Sequence, residues 1–132
     1  MEQDELRLQN LIYYKDGTEC IVSSLGANGF ETLKFDYSGL VYGSNDHRDY
    51  NPIPLNDEWL SIAGYTITDQ NTAGRIYNII VLGEFFDDDL QLVYFSKGQN
   101  KGKFFRKHKE LKYVHELQNL HFALKGNELI DV

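Results

Sequence analysis

Basic and aromatic residues are concentrated in one short stretch of the sequence, residues 97–112, which we call the basic segment. Positive groups contact phosphates and aromatic rings stack on unpaired bases, so this combination is typical of a surface that binds single-stranded RNA. The alternative is a hairpin edge that its lysines protect from aggregation, with Phe104 and Phe105 packing inward. Seven of the chain's 13 lysines and arginines lie here, namely Lys97, Lys101, Lys103, Arg106, Lys107, Lys109 and Lys112. The candidate binding residues are Lys101, Lys103, Phe104, Arg106, Lys107 and Lys109.

Two features outside the basic segment are further candidate contacts for a partner. The run Asp87-Asp88-Asp89 lacks the alternating carboxylates and the glycine of a calcium loop. It suits either a hairpin turn or a negative patch for a basic partner. Phe122 lies opposite the apolar stripe of its predicted helix, where it meets either the N-terminal lobe or a partner.

The other polar residues predict neither catalysis nor a cofactor. No glycine-rich loop precedes a helix, and no Gly-x-Ser-x-Gly elbow occurs. His115 and His121 lie on different helical faces, which excludes the chelating pair that a spacing of four residues would give. Cys20 has no basic neighbour, which favours a buried thiol over a nucleophile. We therefore expect no catalytic residue, metal or cofactor. The competing enzyme hypothesis is a composite site that gathers His47, His115 or His121 with carboxylates.

Short strand-like segments separated by turns fill the first part of the chain, residues 1–55. Asp16-Gly17 suits a tight hairpin turn between LRLQNLIYY and ECIVSSLG. A Gly/Asn turn then leads to FETLKFDYS, and GLVYG follows. Pro52 and Pro54 restrict the segment NPIPL to a connector or an edge strand. Four closely spaced strands predict either a small SH3-like barrel or a strongly twisted meander, and we expect the SH3-like β lobe.

The second part, residues 56–132, is predicted to contain a short helix, an antiparallel meander and a covering helix, packed with the first part as one compact unit. Asn56 is a good N-cap for the short helix, whose Trp59, Leu60 and Ile62 are expected to pack. Strands are expected at YTIT, RIYNIIVLG and DDDLQLVYFS, with a loop at DQNTAG, and the turn KGQNKG leads into KFFRKH. A helix at 111–125 covers the meander, so the fold class is α+β. Its core-facing stripe comprises Tyr113, Leu117, Leu120 and Leu124, flanked by Val114.

Charge is divided unevenly along the chain, whose net charge is −7. Residues 1–96 hold 5 basic and 16 acidic residues, a charge of −11, whereas residues 97–132 hold 8 basic and 4 acidic residues, a charge of +4. An acidic body disfavours generic nucleic-acid binding, and the basic segment is a local exception. Since no signal peptide or membrane-spanning apolar run is evident and only one cysteine occurs, we expect a cytoplasmic protein.

Two segments, YNPIPLNDEWL and KYVHELQNLHFALKGNEL, resemble those of an uncharacterised family of small phage, prophage and mobile-element proteins of Bacteroidota. That family carries a PIPL…EWL segment and a C-terminal helix similar to YVHQLQNLYFALTGEEL. Its usual opening is a basic residue followed by Ile-Gly-Asn, whereas this chain has LRLQN and lacks the glycine. The matching positions are Pro52, Ile53, Pro54, Leu55, Glu58, Trp59, Leu60, Tyr113, Val114, His115, Leu117, Gln118, Asn119, Leu120, Phe122, Ala123, Leu124, Gly126, Glu128 and Leu129.

The resemblance implies an origin in a mobile element rather than a particular reaction. Small acidic proteins from such elements often bind host machinery, and inhibitors of CRISPR effectors are the sharpest example. The expected function is a non-enzymatic accessory protein that binds a bacterial protein or ribonucleoprotein, as an anti-CRISPR-type inhibitor of an RNA-guided nuclease. The basic segment would touch the guide RNA, and Asp87, Asp88 and Asp89 would meet a basic groove. The alternatives are a nucleic-acid-binding module that acts alone through residues 97–112, and a phage structural or assembly component.

Overall fold

Two antiparallel sheets, a short connecting helix and a C-terminal helix make up the fold. The computed structural model describes residues 6–26, 29–34, 41–44, 49–81, 85–86, 90–126 and 128–130. Within these ranges the chain forms two five-stranded sheets, a two-stranded ribbon and two helices, which confirms the predicted α+β class. No helix in the described part of the chain has both the length and the apolar character needed to cross a membrane.

The first sheet forms the predicted SH3-like β lobe. Its strands are β1 (Leu11–Tyr14), β2 (Glu19–Gly26), β3 (Gly29–Lys34), β4 (Val41–Ser44) and β5 (Tyr50–Pro52), in the order β4-β3-β2-β1-β5. The β1–β2 hairpin turns at Asp16-Gly17 as predicted. Gly17 adopts a left-handed φ of 88°, and Asp16 Oδ1 accepts a hydrogen bond from the Thr18 N–H at 2.9 Å.

The proline-containing segment runs along the edge of this sheet, as the sequence predicts. Strand β5 pairs with β1 at the end of the strand order, where a proline removes no ladder hydrogen bond. Beyond β5, the Leu55 N–H donates to the Lys112 carbonyl and the Val114 N–H donates to the Ile53 carbonyl, both at 2.9 Å. The segment therefore fastens the first sheet to the chain that leads into the C-terminal helix.

The second sheet is the predicted meander. The strands of this part of the chain are β6 (Thr66–Asn71), β7 (Gly74–Asn78), β8 (Ile80–Val81), β9 (Phe85–Phe86), β10 (Leu92–Phe95), β11 (Phe104–Arg106) and β12 (Lys109–Leu111). Five of them lie in the order β12-β11-β10-β7-β6, while β8 and β9 form the ribbon. The predicted loop DQNTAG is mostly strand, because Asn71 Oδ1 accepts the Ala73 N–H at 2.8 Å and closes a tight turn there.

The short helix α1 (Asp57–Ile62) begins as predicted. Asn56 Oδ1 accepts a hydrogen bond from the Trp59 N–H at 3.0 Å, which is an N-cap. Trp59 is buried, but Ile62 is 48% exposed, so its predicted packing is wrong. The reason is that the inner side of this single short helix is occupied by Trp59, Leu60 and the following Ala63.

The C-terminal helix α2 (Val114–Lys125) begins three residues later than predicted. Residues 109–111 form β12 instead, with Leu111 buried opposite Phe104. Glu116 Oε1 accepts hydrogen bonds from the N–H groups of Lys112 and Tyr113 at 2.9 and 3.0 Å, which fixes the start of the helix. Gly126 ends it in a left-handed conformation with φ 75°, as predicted.

The buried face of α2 is rotated from the predicted stripe. Leu117 and Val114 are buried as expected, but Leu124 is 40% exposed. Leu120 is partly buried against the core, and three polar residues of the helix, His115, Gln118 and His121, are buried as well. Gln118 lies against the first sheet, where its Oε1 accepts the Leu11 N–H at 2.8 Å and its Nε2 donates to the Gln9 carbonyl at 3.1 Å. A stripe drawn from apolar residues alone misses this face.

One main cluster of buried side chains joins the two sheets and both helices. Leu11 and Ile21 come from the first sheet, Trp59 from α1, and Leu92 from the second sheet. A smaller cluster around Tyr50 fills the first sheet on its other side. The second sheet contributes Tyr77, Leu92, Phe104 and Leu111 to the main cluster, and these positions define its inner face.

Candidate functional site

The basic segment forms two turns at opposite ends of strand β11. The β10–β11 turn carries Lys97, Lys101 and Lys103, and the β11–β12 turn carries Lys107 and Lys109. All five lysines are exposed, as is Lys112, whereas Arg106 is half-buried. Since a strand residue advances the chain by about 3.3 Å, the two groups of cations are separated by roughly 10 Å along β11. The basic segment therefore presents two separate groups of exposed lysines, one near each end of β11, rather than one continuous patch.

Both turns depend on left-handed backbone conformations. Gly98 and Gly102 adopt φ values of 87° and 82° in the first turn, and Lys107 adopts 55° in the second. The Gly102 N–H donates to the Phe95 carbonyl at 2.8 Å, which closes the first turn against β10. Lys103 Nζ lies 3.9 Å from Glu110 Oε1, so one of the cations is partly neutralised within the sheet.

Phe104, one of the predicted binding residues, lies in the core instead. Its side chain is 6% exposed, and its ring centroid lies 4.8 Å from that of Tyr94 and 5.9 Å from that of Tyr77. Because alternate strand residues point to opposite faces, Phe105 points to the outer side of the same strand and is only half-buried. The inward-packing alternative is thus correct for Phe104, and Phe105 is the phenylalanine of this strand that lies on the outer side.

The outer face of the second sheet carries an apolar strip that the sequence prediction missed. Ile76, Val93 and Phe105 lie directly opposite one another on three neighbouring strands, and the row ends at an acidic residue on each side, Glu110 on β12 and Asp69 on β6. Phe95 lies in the next row, beside Lys103, whose carbonyl accepts the Phe95 N–H at 3.2 Å. We use the name outer face for Ile76, Val93, Phe95 and Phe105. All four are half-buried, and none belongs to the main cluster or packs against it.

A signal for this strip is present in the sequence. The alternation at Leu90, Leu92 and Tyr94 predicts an inward face for β10, but the complementary positions Val93 and Phe95 are apolar as well. A strand that is apolar on both sides indicates that both sides are covered in the functional state. The Phe95 and Phe105 rings lie 5.6 Å apart at an interplanar angle of 84°.

A shallow depression of about 150 Å³ opens beside Phe95. It lies between β10 and the β6–β7 hairpin, and Val93, Ile76, Gln70 and Asn71 line it. Gly74 keeps the strands close at this point, because a Cβ there would collide with the backbone carbonyl oxygen of Tyr94. The depression therefore sits at the end of the sheet that also carries the β10–β11 turn and its lysines.

Phe122 is in contact with the N-terminal segment. Its side chain is 39% exposed, and the Arg7 guanidinium carbon lies 4.3 Å from its ring centroid. Arg7 is held in place by two hydrogen bonds to the Glu128 carboxylate, at 2.6 and 2.8 Å. Of the two predicted roles for Phe122, contact with the N-terminal part of the chain is the one that this geometry favours. Asp87, Asp88 and Asp89 lie outside the described residues.

The histidines are not gathered into one site. His115 and His121 are buried on α2, with the His115 ring stacked on Tyr113 at 5.8 Å, while His108 is exposed at the β11–β12 turn. His47 falls outside the described residues. Among the residues that the structure describes, no three His, Cys, Asp or Glu side chains are grouped closely enough to hold a metal ion. Cys20 is fully buried, as predicted.

Tyr77, whose pKa is raised, connects the second sheet to α1. Burial, followed by the hydrogen bond to and the charge of Asp57, raises the pKa of the Tyr77 hydroxyl, and the nearby Arg75 opposes this shift. The Tyr77 hydroxyl donates to Asp57 Oδ1, and Arg75 Nη1 donates to Asp57 Oδ2 at 2.8 Å. Because Tyr77 and Arg75 both bind the Asp57 carboxylate, we interpret these three residues as a structural cluster that positions α1.

No protein-family model, curated protein or solved structure matches this chain. The candidate site is therefore defined by its own residues: the outer face, with lysines on two sides.

Proposed function

We propose that this chain is a non-enzymatic accessory protein of a phage or another mobile element that binds a ribonucleoprotein in the cytoplasm of a bacterial host. An RNA-guided defence nuclease is the most specific form of this target, and inhibition is the expected result of binding. The resemblance of two segments to a family from mobile elements supports the origin. The surface of the second sheet supports the kind of target.

The observation that carries this proposal is the placement of exposed lysines beside an apolar strip. Phosphates attract the lysines, and the strip has the composition of a contact surface rather than of ordinary solvent-exposed strand. Residues 97–132 carry a charge of +4 whereas residues 1–96 carry −11, so the lysines of the basic segment are the groups that favour contact with phosphates. A target that contains both RNA and a basic protein surface offers a counterpart to the basic segment and to the acidic part of the chain.

The test is capture of the target from a bacterial lysate by the tagged, full-length protein, with and without nuclease treatment, followed by mass spectrometry. We expect one defence effector to be recovered. The variant Lys101→Glu/Lys107→Glu, which reverses one exposed cation at each end of β11, should lose it. The matched control, Lys15→Glu/Lys125→Glu, makes the same change in net charge on other elements and should retain it. If no partner is recovered with or without nuclease, the proposal is contradicted. If the basic-segment variant recovers as much of the effector as the control variant, the basic segment does not contribute to binding.

A second candidate function is a nucleic-acid-binding module that acts alone. The pair of half-buried rings on the outer face favours it, because such rings stack on bases in the absence of any protein partner. The two functions differ in the lysate experiment. A target that survives nuclease treatment indicates a protein-directed inhibitor, whereas a target that disappears with the RNA indicates the module.

A further inference from the structure

We infer that the outer face of the second sheet binds single-stranded nucleic acid, with bases stacked on Phe95 and Phe105 and phosphates held by the lysines of the β10–β11 turn. This inference rests on the proposed function and names the chemistry of the partner at the same surface. The shared chemistry is an unpaired base on a phosphate backbone, which single-stranded RNA and single-stranded DNA both present.

The two rings have the placement that base stacking requires. They lie on neighbouring strands of an antiparallel sheet, 5.6 Å apart, and both are half-buried rather than part of the core. At 84° the two rings make an edge-to-face contact, so bases would stack on the ring faces that this contact leaves open. A duplex does not offer its base faces in this way, because they are already stacked on their neighbours.

The positive charge of exposed lysines at the edge of the outer face favours an anionic ligand. Lys97, Lys101 and Lys103 are exposed at the end of the sheet where Phe95 lies. A groove that combines such cations with aromatic rings follows a nucleic-acid backbone with little preference for sequence. An apolar protein segment would bury the strip but leave the lysines without a counterpart, so the strip and the lysines together favour nucleic acid.

The depression beside Phe95 offers polar groups for the edge of a base. Its polar lining is formed by Asp69, Gln70 and Asn71, beside the apolar side chains of Ile76 and Val93. Amide groups recognise base edges by hydrogen bonding once the base is unstacked from its neighbours. The depression therefore lies where a base next to Phe95 would be placed.

Glu110 limits the affinity of this surface. It ends the row formed by Ile76, Val93 and Phe105, and its carboxylate lies 3.9 Å from Lys103 Nζ. A phosphate must compete with this carboxylate for the lysine. Removing the negative charge with Glu110→Gln should therefore strengthen binding several-fold, and a structural role for Glu110 alone would not produce that change.

The experiment measures fluorescence anisotropy of a labelled oligouridine of about ten nucleotides with the full chain over a range of salt concentrations. We expect Phe95→Leu and Phe105→Leu, which remove the ring but keep an apolar side chain, each to weaken binding roughly ten-fold with little change in salt dependence. Lys101→Ala should instead reduce the slope of log K against log salt by about 0.7. Ile62→Ala and Lys15→Ala are the matched controls on exposed positions elsewhere, and circular dichroism checks that every variant is folded.

Further arms use the same sequence as DNA and as an RNA duplex. A higher affinity for single-stranded RNA or DNA than for the duplex supports the inference. The ratio of the RNA and DNA affinities then shows which single strand is the preferred ligand. No binding at low salt overturns it, as does binding that both phenylalanine variants retain in full. Failure here is distinct from failure of the proposed function. If Phe105→Leu still captures a nuclease-resistant effector from the lysate, the proposed function stands and the stacking surface does not.

Discussion

Gln9 adopts a backbone conformation that few side chains tolerate. Its φ is 69°, in the left-handed region where a Cβ crowds the backbone, and its side chain is exposed. Its backbone is nevertheless needed, since the N–H donates to the Val22 carbonyl at 2.8 Å and its own carbonyl accepts from Gln118. The left-handed conformation at Gln9 is therefore held by two hydrogen bonds of its own backbone groups.

Gln9→Gly should stabilise the protein by roughly 0.5–1 kcal/mol, because the relief of left-handed strain exceeds the added entropy of the unfolded chain. Gln9→Ala is the matched control, since alanine also has a Cβ and should bring no gain. Urea unfolding measures both free energies. Equal stability of the two variants would show that the conformation is not strained.

At the scale of elements, a polar cluster adds to the buried side chains of α1 in fixing its position. Asp57, the first residue of α1, accepts hydrogen bonds from Tyr77 and Arg75 on strand β7, and the Arg75 guanidinium carbon lies 4.4 Å from the Tyr94 ring centroid. Burial of the Tyr77 hydroxyl is the larger cause of its raised pKa, followed by the hydrogen bond to Asp57. The folded state thus favours the neutral tyrosine.

This raised pKa predicts that the protein loses stability at alkaline pH. The Tyr77 contribution is fully present below the unfolded-state pKa of about 10, and it is lost as the pH rises from there toward the higher folded-state pKa. Tyr77→Phe should cost about 1 kcal/mol at neutral pH and should make the decline above about pH 10 shallower. Urea unfolding across that range measures the slope, to which Tyr50, whose pKa burial also raises, contributes in both proteins. An unchanged slope in the variant would contradict the assignment.

Local signals predict most elements of this fold but not the faces that they bury. The Asp16-Gly17 turn, the Asn56 cap and the Gly126 stop are each fixed by a short-range hydrogen bond or backbone conformation, so the sequence alone is sufficient to predict them. The predicted start of the helix at Leu111 is wrong because Leu111 pairs with β11 as the last residue of β12, and this pairing is a tertiary contact that the local sequence does not show. The same holds for the outer face: Phe105 and Phe104 are equivalent in sequence, and only the register of β11 distinguishes them.

The whole molecule is joined by polar contacts between its two ends. Asn119 Oδ1 accepts hydrogen bonds from Arg7 Nε at 3.2 Å and Asn10 Nδ2 at 2.8 Å, and Arg7 also binds Glu128. Residues from the N-terminal segment, α2 and the chain after α2 thus meet in one network. This arrangement explains why the apolar pattern of α2 is incomplete on its inner side. That side must satisfy backbone groups of the first sheet as well as fill the core.

Two substitutions on α2, one at buried Gln118 and one at exposed Leu124, test whether the polar face of this helix is the buried one. Gln118→Leu leaves the Leu11 N–H and the Gln9 carbonyl without their buried partner, so it should destabilise the protein by about 2–4 kcal/mol. Leu124→Gln changes a side chain that is 40% exposed and should alter stability by no more than about 0.5 kcal/mol. Urea unfolding of the two variants decides between the apolar stripe and the observed face. The stripe predicts the reverse order, because it places Leu124 in the core and Gln118 outside it, and that order would show that α2 packs through Leu124.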